Sequence, residues 1–187
     1  MRLLDQGLKR EELIASNSMI LHELFFASLG EESEPWGALR DALTRDFGSV
    51  DHWRAEFSAM GKAQAGGSGW VLLIWSPRDR KLINQWAMDH TTTFAGGQPI
   101  LALDTYEHSY HLDYRAKAIA YVDAFMMAIN WPSLGRFHRD RRLEVRHAQC
   151  ERQRRLRGSR SIARYSSPSA RMVRSLSPDS ASGRARR

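Results

Sequence analysis

Asp104 and His108 stand four residues apart in the run Leu103-Asp104-Thr105-Tyr106-Glu107-His108-Ser109-Tyr110-His111, and a carboxylate and an imidazole at that spacing can share one metal ion. In a chain with 7 His among 187 residues the spacing alone also fits a solvated helix face. The residues in front of it sharpen the reading. Pro99-Ile100-Leu101-Ala102-Leu103 is an apolar run that predicts a buried strand delivering Asp104 at its end. A carboxylate emerging from apolar surroundings is costly unless it is paired or metal-bound. His22, inside an apolar helical stretch, offers another imidazole, although a lone His on such a face is more often a satisfied core residue. His90, in Asp89-His90-Thr91, is a further one on a loop.

The elements that must position these residues read as helices, then a short sheet, then helices. Residues 8–29 show helical periodicity, with Leu13, Ile14, Leu21, Leu24, Phe25 and Leu29 crowding one side and Gly30 placed as a stop. A second helix is predicted from Trp36 to Phe47, ended by Gly48, and Ser49 reads as the N-cap of a third through Trp53, Phe57 and Met60. Gly66-Gly67-Ser68-Gly69 is a hinge. Beyond it, Trp70 to Trp75 and Lys81 to Ala87 flank a polar turn and predict an antiparallel hairpin, to which the strand before Asp104 adds a third member. A helical pattern returns from Ser109 to about Ile129. The fold class expected is α+β: an N-terminal helical segment, a three-stranded antiparallel sheet flanked by helices, and a disordered basic C-terminal tail.

Charge divides the chain. Residues 136–187 hold 16 Arg and 4 acids, net +12, against +7 for the whole chain, so the first 135 residues are net −5. Sparse apolar residues in that tail predict disorder. Its arginines allow weak non-specific nucleic acid contact by counterion release, although no RNA-binding module accompanies them. The single Cys150 excludes an internal disulfide framework and suits a reducing compartment. No apolar stretch reaches the roughly 18 residues that span a bilayer, so a cytoplasmic protein without membrane contact is expected.

The segment Asp104-Thr105-Tyr106-Glu107-His108-Ser109-Tyr110 resembles the Asp-x-Trp-Glu-His-x-Tyr signature of the iron/manganese superoxide dismutases, with Tyr106 in place of the Trp. Gly67-Ser68-Gly69-Trp70 is similar to that family's Gly-Ser-Gly-Trp, and the stretch around His22 to its second helix, with Phe26 where a Trp is usual. The resemblance implies metal ligation by His22, Asp104 and His108, with one Mn or Fe ion per subunit. It places Trp70 and Tyr106 at the pocket wall. It implies a homodimer in which Glu107 reaches the partner's ligand His and His111 lines the interface. His90 falls where manganese-type members have a Gln that bonds the metal's solvent, and Ser18 falls where iron-type members have theirs.

The domain division so implied is 1–47, a remnant of the N-terminal helical domain; 48–134, the α/β domain; and 135–187, the tail. The family's first helix, with a fourth ligand His, lies upstream of Leu8, so the sequence reads as an N-terminally truncated relative. The activity implied is conversion of superoxide to hydrogen peroxide and dioxygen. The alternatives are a non-enzymatic remnant with a polyanion-binding tail and a metal-storing or metal-sensing protein.

Overall fold

The computed structural model describes residues 3–31, 33–141, 150 and 151. Two compact units divide the chain, residues 1–147 and 148–187. All elements below belong to the first, and most of the Arg-rich tail lies outside the described residues.

Helix α1 (Leu3–Ala27) opens the chain, followed by α2 (Gly37–Phe47) and α3 (Val50–Gln64). Ser49 caps α3 as its sequence predicts: the hydroxyl accepts the His52 N–H and satisfies one of the helix's orphan donors. Three antiparallel strands follow, β1 (Trp70–Ser76), β2 (Lys81–Ala87) and β3 (Gln98–Asp104), in the order β2-β1-β3. The central strand β1 is buried along its whole length, which explains its unbroken apolar sequence. Pro99, which cannot donate to a ladder, sits in edge strand β3 at a bulge opposite Leu73 and Ile74.

The helix expected from 109 to 129 is broken into three pieces. A 3-10 turn (Glu107–Ser109) and the short α4 (His111–Tyr114) precede α5 (Ala118–Met127). Arg115 ends α4 at φ 54, a left-handed conformation uncommon outside glycine, and this interrupts an otherwise helical pattern. Residues 131–141 are helical, a segment denoted α6, so the boundary placed at Gly135 falls inside a helix. Leu134 and His138 of α6 are buried, and the His138 ring meets Trp75 edge-on at 5.5 Å.

One core joins these elements. Trp53 of α3 lies at its centre, with Phe57 and Trp131 against its ring at 5.3 Å each, and its indole N–H donates to Asn84 of β2 at 3.1 Å. Leu21 and Phe25 bury the inner side of α1, and Phe25 stacks on Phe125 of α5 at 6.0 Å. The helix ends before the expected stop, at Ala27, because the next residues pair elsewhere. Leu29 bridges Ile129, Gly30 N–H donates to the Ala128 carbonyl at 2.8 Å, and Asn130 N–H donates to Ser28 at 2.7 Å. Gly30 suits that crossing, since a Cβ there would press on the Asn130 side chain.

Candidate metal centre

The sheet register builds most of the site. Trp70, Asp104 and Ala87 lie in one row across the strand ends, Trp70 pairing with Ala87 on one side and Asp104 on the other. His90 follows three residues beyond Ala87, and the turn carrying His108 follows Asp104. The hinge before β1 is tight. Gly69 adopts φ 143, and any Cβ there would overlap the Gln64 side chain and the Ala87 carbonyl. Gln64, buried at the end of α3, donates to Ala87 O at 3.0 Å and Ser68 O at 3.3 Å, tying the hinge to β2. Thr105 N–H and hydroxyl both donate to Gly69 O, closing the other side.

Asp104 is fully buried. Its Oδ1 accepts the Tyr106 N–H at 2.9 Å, while Oδ2 lies 3.0 Å from His108 Nε2 and 3.4 Å from His22 Nε2. The two Nε2 atoms are 3.2 Å apart. Its carbonyl is held by the buried Tyr121 hydroxyl at 2.8 Å and by Ser109 at 3.1 Å. Burial pushes the Asp104 carboxyl above the usual carboxylate range, against the opposing pull of the Tyr106 N–H and the two imidazoles. Burial likewise pushes the Tyr121 phenol upward, so it remains a proton donor to Asp104.

His22 reaches this carboxylate from α1. Its Nδ1 donates to the Ser18 carbonyl at 2.7 Å, one helical turn earlier, which leaves the Nε2 lone pair facing Asp104. Ser18 thus supplies a main-chain acceptor at the position compared with the iron-type Gln. Donor atoms of His22, Asp104 and His108 lie within 4.8 Å of one another, so the three residues expected as ligands do converge. Two imidazole nitrogens and a carboxylate oxygen suit manganese or iron and lack the thiolate that selects softer ions. His52, on the exposed side of α3, is instead engaged with the Phe47 carbonyl at 2.6 Å.

Aromatic rings line two sides of the triad. Trp70 meets His22 edge-on at 5.0 Å, and Tyr106 lies flat between two imidazoles, 5.0 Å from His90 and 5.5 Å from His108. The Trp70 indole N–H donates to His90 Nδ1 at 2.9 Å. The neutral His90 ring therefore carries its proton on Nε2, as a donor. Burial, with His22 and His108 pushing the same way, lowers the His90 pKa below the usual imidazole value.

Glu107, His108 and His111 are exposed in one short segment, and His108 shows 59% of its side chain to solvent. Phe26 is 65% exposed and packs edge-on against Phe25 at 5.2 Å. Sequence reasoning missed Asn17, Gln64 and Tyr121, which hold the site through main-chain carbonyls. No local pattern marks such residues, because their partners are distant in sequence.

Residues 35–136 match the family model described as iron/manganese superoxide dismutases, C-terminal domain. Over 125 residues the chain is 70% identical to an Fe superoxide dismutase of Cupriavidus metallidurans, a match covering 67% of this chain and 64% of that protein. Over 115 residues it is 43% identical to Mn superoxide dismutase 1 of Halobacterium salinarum, covering 60% and 56% respectively. An Fe superoxide dismutase of Methanothermobacter thermautotrophicus is 36% identical over 117 residues, covering 60% and 57%. The chain thus spans less than two thirds of the length of these relatives.

Proposed function

Since the chain belongs to the iron/manganese superoxide dismutase family, we propose that it converts superoxide to dioxygen and hydrogen peroxide at a mononuclear Mn or Fe site. The observation that carries this is the convergence of His22 Nε2, Asp104 Oδ2 and His108 Nε2 within 4.8 Å on a buried carboxylate. A bound Mn or Fe ion would supply the one-electron chemistry: two superoxide anions and two protons give one dioxygen and one hydrogen peroxide.

The protein's own groups set the surroundings of that exchange. His22 is oriented by Ser18 and Asp104 by Tyr106 N–H, so two of the three donors are fixed before any ion arrives. His90, kept neutral and held by Trp70, presents its Nε2–H as the outer hydrogen-bond donor that the family's Gln would provide. Trp70 and Tyr106 exclude bulk water from the two sides they cover.

The reading extends to a homodimer through the exposed segment carrying Glu107, His108 and His111, where a partner subunit would cover the open face of His108. Cytoplasmic location and an antioxidant role accompany it, in keeping with a single cysteine. No helix of the described residues is long and apolar enough to cross a membrane.

The test is reconstitution of the full chain with Mn²⁺ or Fe²⁺, followed by elemental analysis and superoxide consumption. His108→Ala should lose both bound metal and any metal-dependent activity, whereas His90→Ala should retain metal and lose turnover, partly recovered by His90→Gln. Undiminished metal content in His108→Ala would refute the assignment.

A further inference from the structure

His90 is held from three elements. β1 holds the ring nitrogen through Trp70, and the turn after β3 holds the ring face through Tyr106, at 5.0 Å and 14°. The third hold acts on the main chain. Asn17 Nδ2, on α1, donates to the His90 carbonyl at 2.6 Å across 73 residues of sequence. Asn17 is partly buried, so its hydrogen bond competes with water less than an exposed contact does. The neighbouring ion pair from Arg10 to Asp89, at 3.8 Å between exposed side chains, contributes little by comparison.

Asn17 and His22 are five residues apart on the same helix. We propose that Asn17 is a positioning residue for His90, suspending the His90 loop from the helix that carries His22. It thereby fixes the spacing of two imidazoles whose ring centroids lie 6.2 Å apart. The inference rests on the reading of His90 as the outer donor to the metal site. An amide is needed for this hold. The His90 carbonyl requires a donor, and an aspartate of the same size offers acceptors alone at neutral pH. Without the donor the loop is free to draw the His90 ring away from Trp70, although neither of those residues has changed.

The experiment is NMR on the isotope-labelled full chain as wild type, Asn17→Asp, Asn17→Ala and Asn17→Gln. Without metal, exchange of the Trp70 indole proton with solvent should accelerate about five- to tenfold in Asn17→Asp and Asn17→Ala, the scale of one lost hydrogen bond. Asn17→Gln, which keeps the donor on a longer stem, should restore part of the protection. The Trp53 indole proton, bonded to Asn84 in the core, should not change. Equal protection of Trp70 in wild type and Asn17→Asp would overturn the proposal, as would Trp53 accelerating alongside Trp70, since that marks general destabilisation.

A Mn²⁺ titration forms the second arm. Paramagnetic broadening at His22 and His108 reports on the ligand reading, and its absence in wild type would refute that reading while the Trp70 exchange still decides the role of Asn17.

Discussion

Asp104 and His108 come from the rim of the sheet, within five residues of each other, beside a central strand buried throughout. His22 comes from a helix 86 residues from His108, and that helix exposes Leu8, Leu13, Met19, Ile20 and Phe26 along its outward side. Backbone pairing and the carbonyl contacts from Tyr121 and Ser109 hold Asp104 in place before any ligand arrives. The helix side depends on how α1 seats, and therefore on a few buried side chains such as Leu21 and Phe25. In the proposed coordination set the carboxylate is thus held by the sheet, while one imidazole is brought to it by a helix seated through side chains.

The sharpest way to separate the two sides is to neutralise the shared carboxylate. Asp104→Asn keeps the shape and can still accept the Tyr106 N–H, but it removes the charge that draws a cation, so stoichiometric Mn²⁺ and Fe²⁺ binding should disappear in elemental analysis. Burial disfavours the charged form of Asp104, so the amide should also raise the urea midpoint of the metal-free protein at pH 7. A lowered midpoint would mean that the two imidazoles already neutralise the carboxylate well enough without metal.

A smaller effect, confined to the helix side, is expected from Phe25→Ala. Removing a buried ring that stacks on Phe125 should cost about 3–5 kcal/mol in chemical denaturation. It should weaken metal binding through His22 while leaving the Asp104 and His108 resonances of the folded protein in place. A cost below about 1 kcal/mol would show that α1 is not seated by this residue.

Phe26→Ser, one position along, should change stability by no more than about 0.5 kcal/mol, because Phe26 is 65% exposed. A clear loss of stability by thermal unfolding would reveal that this surface is covered in solution.

The sheet side was legible in the sequence because an apolar run ending in Asp104 and a short motif bring a carboxylate and an imidazole together with local information alone. Ser49 and the hairpin could be read in the same way, through capping and alternation. His22 was legible through resemblance, since an imidazole among apolar helical residues fits a core position equally well. Asn17 and Gln64 carried no signal, because each acts on a carbonyl that folding brings near from far along the chain. The break at Arg115 was hidden too, for its left-handed backbone is occupied by a residue that does not advertise it.

The crossing of Leu29 with Ile129 has a consequence in time. Asn130 N–H closes on Ser28 and Gly30 N–H on Ala128, so the end of the helix that delivers His22 is secured by residues roughly a hundred positions later. Contacts of such sequence separation lose chain entropy before they gain energy, and they form late in folding. On a ribosome adding about 5–20 residues per second, α1 emerges roughly 5–20 s before the segment that fastens it has been made. During that interval the apolar residues of α1, Leu21 and Phe25 among them, are without their native cover.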